Sequence, residues 1–266
     1  MNFQPEWALC QTEQWIVKNS PFLFKYTDVI LNEYFGETGR SSKYQLTCCL
    51  LECVKRKLTK DFPQLIDARL YSSTIDEVII FNKQIITHVP GIFEFQPELN
   101  PIQVFFPSVD HFERFSRLLM DRLNEFVEGI FESDVSWNVI ECSSEMSARF
   151  IICEAADKFS ILLQSLIEKS HFIPSMEFKM KIINLIFKVM DDFRLRLTQV
   201  IHNYSGWPFN QKFYSILNTF EFFVAQITEW EQNSVSFFLI FYYSNLFLNV
   251  FLCSILSKFA FQTEKI

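Results

Sequence analysis

Glycine is scarce in this 266-residue chain, with only 5 copies. Sheet-rich folds and phosphate-cradling loops use glycine at turns, bulges and close backbone approaches, so the shortage points to long helices with few connections. Histidine is equally rare, at 4 copies. No CxxC pair and no HExxH occurs, so the spacing gives no support to a zinc site. A GxSxG elbow and a P-loop are also missing. The chain lacks a basic face: its net charge is −7 and its pI near 5.2. Nucleic-acid binding draws its affinity from phosphate neutralisation and is therefore not expected. The run Lys55-Arg56-Lys57 reads as one solvated turn of a helix. The start, Met1-Asn2-Phe3-Gln4-Pro5-Glu6-Trp7, has neither the basic opening nor the apolar core of a secretory signal.

Apolar residues, by contrast, are plentiful. They make up 49% of the chain against 21% charged, a balance that excludes disorder and suffices for one or two cores. Phenylalanine alone contributes 32 residues, and each fully buried ring is worth roughly 1.5–3 kcal/mol. The 7 cysteines form an odd set without framework spacing. They read as small packed hydrophobes in a reducing compartment.

The apolar spacing is helical almost throughout. A short helix is expected over about 5–18, carrying Trp7, Ala8, Trp15 and Ile16. Ser20-Pro21 reads as an N-cap and first-turn proline opening a second helix to about Phe35, which Gly36 and Gly39 end. Ser41 or Ser42 can cap a third, to about Lys60; Ser73-x-x-Asp76 and Thr74-x-x-Glu77 look like starts of a fourth, to about Val89. Pro90, Pro97, Pro101 and Pro107 break the pattern, marking a linker or an ordered loop whose aromatics pack onto helices. From Ser108 a stripe returns at Phe112, Phe115, Leu119, Leu123, Phe126 and Ile130. Long helices are expected over about 144–170 and 175–203, the latter burying Phe178, Ile182, Leu185, Ile186, Val189, Phe193, Leu197 and Val200. The last begins near Pro208 and runs to Trp230.

Few constellations could carry chemistry. Asp191 and Asp192 are the one prominent carboxylate pair, but Arg194 and Arg196 lie three and four residues on, so ion pairs along one helix are expected. His88, His111, His171 and His202 each fall near a helix end, where imidazoles complement the dipole or fill a cap. No catalytic, cofactor-binding or metal-binding residue is assigned. An enzyme with a scattered site would need these carboxylates unpaired in a cleft.

No charge occurs between Glu231 and Lys258. As a helix this stretch would be about 39 Å long, against roughly 30 Å of bilayer hydrocarbon. Residues 235–256 could thus form a tail anchor, an over-hydrophobic buried helix, or a chain end foreign to the fold; composition allows all three.

The block Asp191-Asp192-Phe193-Arg194-Leu195-Arg196-Leu197-Thr198-Gln199-Val200, with Phe213-Tyr214-Ser215-Ile216-Leu217-Asn218 and Glu229-Trp230, resembles the RINT/TIP family, the Tip-type subunits of the Dsl/NRZ tethering complex at the endoplasmic reticulum. Pro5-Glu6-Trp7 with Trp15-Ile16, Asp76-Glu77-Val78-Ile79-Ile80-Phe81, Pro90-Gly91-Ile92-Phe93, Phe112-x-Arg114-Phe115 and Trp137 follow in family order. The resemblance covers about residues 5–239. Its signature residues, Asp192, Phe193, Arg194, Arg196, Leu197, Tyr214, Leu217, Asn218 and Trp230, are structural in kind and mark no site.

The resemblance implies an all-α fold, an elongated stack of antiparallel helical bundles of the multisubunit tethering type. It implies a non-catalytic scaffold for Golgi-to-endoplasmic-reticulum retrograde transport, peripheral on the cytosolic face of that membrane. Its partners would be endoplasmic-reticulum SNAREs and other tether subunits, with no cofactor and no nucleic acid. The alternative is a tail-anchored protein using residues 235–256. The expected organisation is a helical region over 1–89, a proline-rich connection at 90–107, a long-helix bundle over 108–239 and an atypical tail at 240–266. Family members extend past both ends, including an N-terminal segment that docks a neighbouring subunit, so the chain reads as a truncated or alternative product.

Overall fold

A computed structural model describes residues 5–35, 41–143, 149–173, 175–203 and 211–233. Nine α-helices are present among them: α1 Pro5–Phe22, α2 Asp28–Phe35, α3 Ser42–Asp61, α4 Ala68–His88, α5 Ile92–Phe95, α6 Val109–Glu132, α7 Glu154–His171, α8 Met176–Asn203 and α9 Gln211–Asn233. Strands β1 Val139–Ser143 and β2 Arg149–Cys153 form an antiparallel pair, with Ile140 opposite Ile152. The all-α class holds, with this hairpin as the exception. The chain divides into two compact units, one of residues 1–120 and 168–182, the other of residues 121–167 and 183–266. The stretch 90–107 falls inside the first.

In the first unit, helical backbone continues from Pro5 to Phe35 without the break expected at Ser20-Pro21. Ser20 lies inside α1, where its hydroxyl donates to the Ile16 carbonyl at 2.6 Å. Pro21 has no N–H to donate, and the backbone answers with a π-helical turn over Leu23–Thr27 before α2 resumes. Such wide turns accommodate a disrupted hydrogen-bond ladder without ending the helix. Helix α3 begins as its sequence suggests: the Ser41 side chain accepts from the Tyr44 amide at 3.3 Å. Helix α4 begins earlier than expected. Asp67 is its cap, accepting from the Leu70 amide at 2.8 Å. Thr74, read from sequence as a start, sits a full turn inside and donates to the Leu70 carbonyl at 2.7 Å.

The proline-rich stretch is folded, and seven of its residues are buried. Gly91, at φ 75°, turns the chain out of α4, a conformation that costs glycine little and a β-carbon much. Helix α5 and 3₁₀ turns at Pro97–Leu99 and Pro101–Phe105 follow, burying Ile92, Leu99, Ile102 and Phe105. A buried amide ties this stretch to α4. Asn100 Oδ1 accepts from Asn82 Nδ2 at 2.9 Å and from the Ile102 amide at 3.1 Å. Phe112 stacks flat on Phe178, with centroids 4.1 Å apart, and Phe106 meets both edge-on.

The Phe112-x-Arg114-Phe115 motif also acts in this unit. The Arg114 guanidinium lies 4.6 Å over the Tyr71 ring and donates to the Ile66 carbonyl at 2.8 Å. The Tyr71 hydroxyl donates to the Phe105 carbonyl at 3.1 Å. Burial pushes the Tyr71 phenol up from 10.0 to about 12, and Arg114 pulls the other way. The unfolded chain therefore releases this proton near pH 10 while the folded chain holds it. The associated stability is fully present below pH 10 and is lost as pH rises through about 12, by about 2–3 kcal/mol. Urea titrations from pH 9 to 12 should show the native protein losing that much more stability than Tyr71→Phe. Parallel pH profiles would contradict it.

In the second unit the sequence expectation of helix over 144–170 is corrected. Residues 149–153 are strand, and α7 starts at Glu154; residues 144–148 lie outside the described set. The run Phe150-Ile151-Ile152 suits a pleated surface, where β-branched and aromatic side chains pack across strands. Within this unit α6 buries Leu123, Val127 and Ile130, while Phe126 is exposed. Val127 takes the place given to Phe126 in the expected stripe, since both three- and four-residue steps stay on one helical face. Helix α8 matches its expected bounds, but Ile201, not Val200, closes its buried side.

Candidate functional site

The family-like block lies in the second unit, where α8 and α9 carry it. Phe193 is fully buried and central. It stacks on Phe159 at 3.9 Å and 3°, and Phe223 and Phe131 meet it edge-on at 5.7 and 5.3 Å. Leu197 and Leu217 are buried. These three signature residues are core, as their apolar spacing implies.

The polar members pin elements in place. The Arg194 guanidinium donates twice to Asp191 Oδ1, from Nε at 2.9 Å and Nη2 at 2.7 Å. Arg196 Nε donates to Asp192 Oδ2 at 2.8 Å, and its Nη2 lies 3.9 Å from Glu128 Oε1 on α6. The Arg196 guanidinium lies 5.9 Å over the Phe131 ring, so ion pairing and cation–π contact act together. Asn218 Nδ2 donates to the Ile151 carbonyl at 3.1 Å, fastening α9 to β2. Tyr214 is partly exposed beside Phe213. Trp230 belongs to α9, and its side chain lies outside the described residues.

The chemistry such groups could do is narrow. Acid–base work by Asp191 and Asp192 would need carboxylates converging with groups from other elements; each is instead held by an arginine of its own helix. Cys153 is buried, shares a 3.4 Å contact with the Thr219 hydroxyl, and burial raises its thiol pKa, the reverse of nucleophile activation. Among the described residues no group of three or more His, Cys, Asp or Glu could hold a metal. His88 and His171 end α4 and α7, His202 lies in the last turn of α8, and His111 in the first turn of α6 shares a 2.7 Å hydrogen bond with Ser108. The cysteines depart from their expected burial: Cys48 and Cys153 are buried, but Cys10, Cys49 and Cys53 are exposed.

One surface was not foreseen. The sequence reading placed Trp7 and Trp15 among the apolar positions of the first helix, yet both face solvent, and Leu9 and Ile16 face the core. Phe22, Tyr26, Ile30 and Tyr34 continue the exposed row. Their four-residue spacing was the available signal, hidden by the break assumed at Pro21.

No described helix is long and apolar enough to cross a membrane. Residues 235–256 and the tail 240–266 lie outside the described residues. No solved structure matches the chain. The model of the RINT-1/TIP-1 family matches residues 2–245, past the 239 at which the resemblance was expected to stop. A match of that extent, over most of the chain, shows that it belongs to the RINT-1/TIP-1 family.

Proposed function

We propose that the chain is a non-catalytic tethering subunit in vesicle transport, acting in the Golgi-to-endoplasmic-reticulum direction. The family match over residues 2–245 is the observation that carries this reading. The signature residues support it, because they build a helical core and present no convergent ionisable groups. In this reading the subunit sits peripherally on the cytosolic face of the endoplasmic reticulum, bound to its SNAREs and to other tether subunits of a Dsl/NRZ-type complex. Protein surfaces are its working parts.

The tail-anchor alternative is less favoured, since the family match runs to residue 245, well into the 235–256 stretch. Carbonate extraction of cells expressing the chain with and without residues 240–266 tests the peripheral placement. Both forms should be released into the soluble fraction. Resistance of the full chain, relieved by the deletion, would make the protein integral and overturn the peripheral reading. Affinity recovery under mild detergent should bring down endoplasmic-reticulum SNAREs with the chain. Recovery of neither SNAREs nor tether subunits would remove the tethering proposal.

A further inference from the structure

The two edges of the hairpin in the second unit are treated differently. The Glu154 amide donates to the Asn138 carbonyl at 2.9 Å, so Asn138 and Glu154 form a hydrogen-bonded pair just beyond the strands. In an antiparallel ladder such pairs alternate with pairs whose N–H and C=O groups point away from the partner strand. The register then makes Ile140–Ile152 and Cys142–Phe150 bonded pairs. It turns the backbone groups of Val139, Glu141 and Ser143 outward on β1, and those of Ile151 outward on β2. The Asn218 side chain agrees with this phase, since it takes the outward Ile151 carbonyl at 3.1 Å. On β1 there is no counterpart. Among the described residues no group bonds the outward N–H and C=O groups of Val139, Glu141 and Ser143.

An open row of alternating donors and acceptors is matched along its length by another extended backbone, which fixes the kind of occupant. Charge narrows it further. From residue 132 to 153 the acids are Glu132, Asp134, Glu141 and Glu145, and the sole base is Arg149. Glu132, Asp134 and Glu141 are exposed. A second copy of β1, paired antiparallel about Glu141, would set that carboxylate against its own equivalent, and like charges directly opposite destabilise a strand pair. We propose that the outer edge of β1 receives an extended segment of a partner protein as a third strand, with a lysine or arginine of that segment beside Glu141. Main-chain hydrogen bonds supply the affinity, and the carboxylate selects a basic segment over a copy of itself. The contact is a property of the hairpin and holds whether or not the chain tethers vesicles.

Amide hydrogen exchange, read residue by residue by NMR on the full purified chain, tests this with the capped peptide Val-Lys-Val-Lys-Val-Lys-Val and its glutamate counterpart. Alone, the chain should exchange its Glu141 and Ser143 amides fast and those of Ile140 and Cys142 slowly. The lysine peptide at saturation should slow the first two by about tenfold. It should also bind about tenfold more tightly than the glutamate peptide. Glu141→Pro should abolish the protection with circular dichroism unchanged, because the amide it removes takes no part in the β1–β2 ladder. Glu141→Lys should remove the preference for lysine. Slow exchange at Glu141 and Ser143 without peptide would show the edge already covered, by the chain itself or, where the slowing grows with concentration, by a second copy. Either result overturns the proposal. So would a failure of both peptides to protect these amides, equal affinity for the two, or unchanged peptide binding in Glu141→Pro.

Discussion

Phe193→Ala is expected to destabilise the second unit by about 3–5 kcal/mol, the range for removing a fully buried aromatic ring that leaves a cavity. The ring touches Phe131, Phe159 and Phe223, which sit on α6, α7 and α9, so one side chain joins three helices to α8. A loss of that size rivals the whole stability of many domains. Phe193→Leu should recover more than half of it by filling most of the volume. The neighbouring charges offer the control. Asp192→Ala or Arg196→Ala should each cost less than about 1 kcal/mol, because the pair is partly solvated. Urea unfolding read by circular dichroism separates the two classes. If the charge changes prove as damaging as the loss of the ring, the signature is not primarily a packing feature.

Asn100→Ala is expected to cost about 2–4 kcal/mol in the first unit. The carbonyl oxygen of Asn100 is the acceptor for both the Asn82 amide and the Ile102 N–H. Removing it strands two buried donors, each worth about 1–3 kcal/mol when left unpaired. Asn82 Oδ1 already lacks a partner among the described residues, so Asn82 has no second bond to retreat to. The double change Asn82→Leu/Asn100→Ala should recover part of the loss, since it removes the stranded amide as well. A double-mutant cycle read by chemical denaturation gives the coupling. Additive losses would show that the two amides do not depend on one another.

Local signals made the helices legible where they pointed one way. Ser41 before α3 and the apolar steps of α6 and α8 needed no tertiary information. Misreadings occurred where two local signals competed. Ser20-Pro21 has the form of a helix start, yet the serine hydroxyl and the π-helical turn absorb the proline within a continuing helix. Thr74-x-x-Glu77 has the form of a capping box, but Asp67 caps earlier and leaves Thr74 to bond back to Leu70. The hairpin escaped notice because its short run of Phe150-Ile151-Ile152 is also compatible with a buried helix; what decides for strand is the Asn218 side chain and the face of α9 packed against it.

The signature block was legible as a set of residues, not as an arrangement. Apolar spacing marked Phe193 and Leu197 as inward, and the i,i+3 and i,i+4 charges foretold the Asp–Arg pairs. The link from Asn218 to the Ile151 carbonyl joins residues far apart in sequence, and no periodicity announces it. The exposed row from Trp7 to Tyr34 was equally silent, because large aromatics at helical spacing normally face a core.

The most direct test of the tethering account is relocation. The chain, fused to a mitochondrial outer-membrane anchor, is displayed in cells, and the surface of those mitochondria is examined for endoplasmic-reticulum SNAREs and tether subunits. The account predicts their recruitment, lost with Phe193→Ala. Mitochondria that carry the folded chain at high density yet gather neither SNAREs nor tether subunits would contradict it.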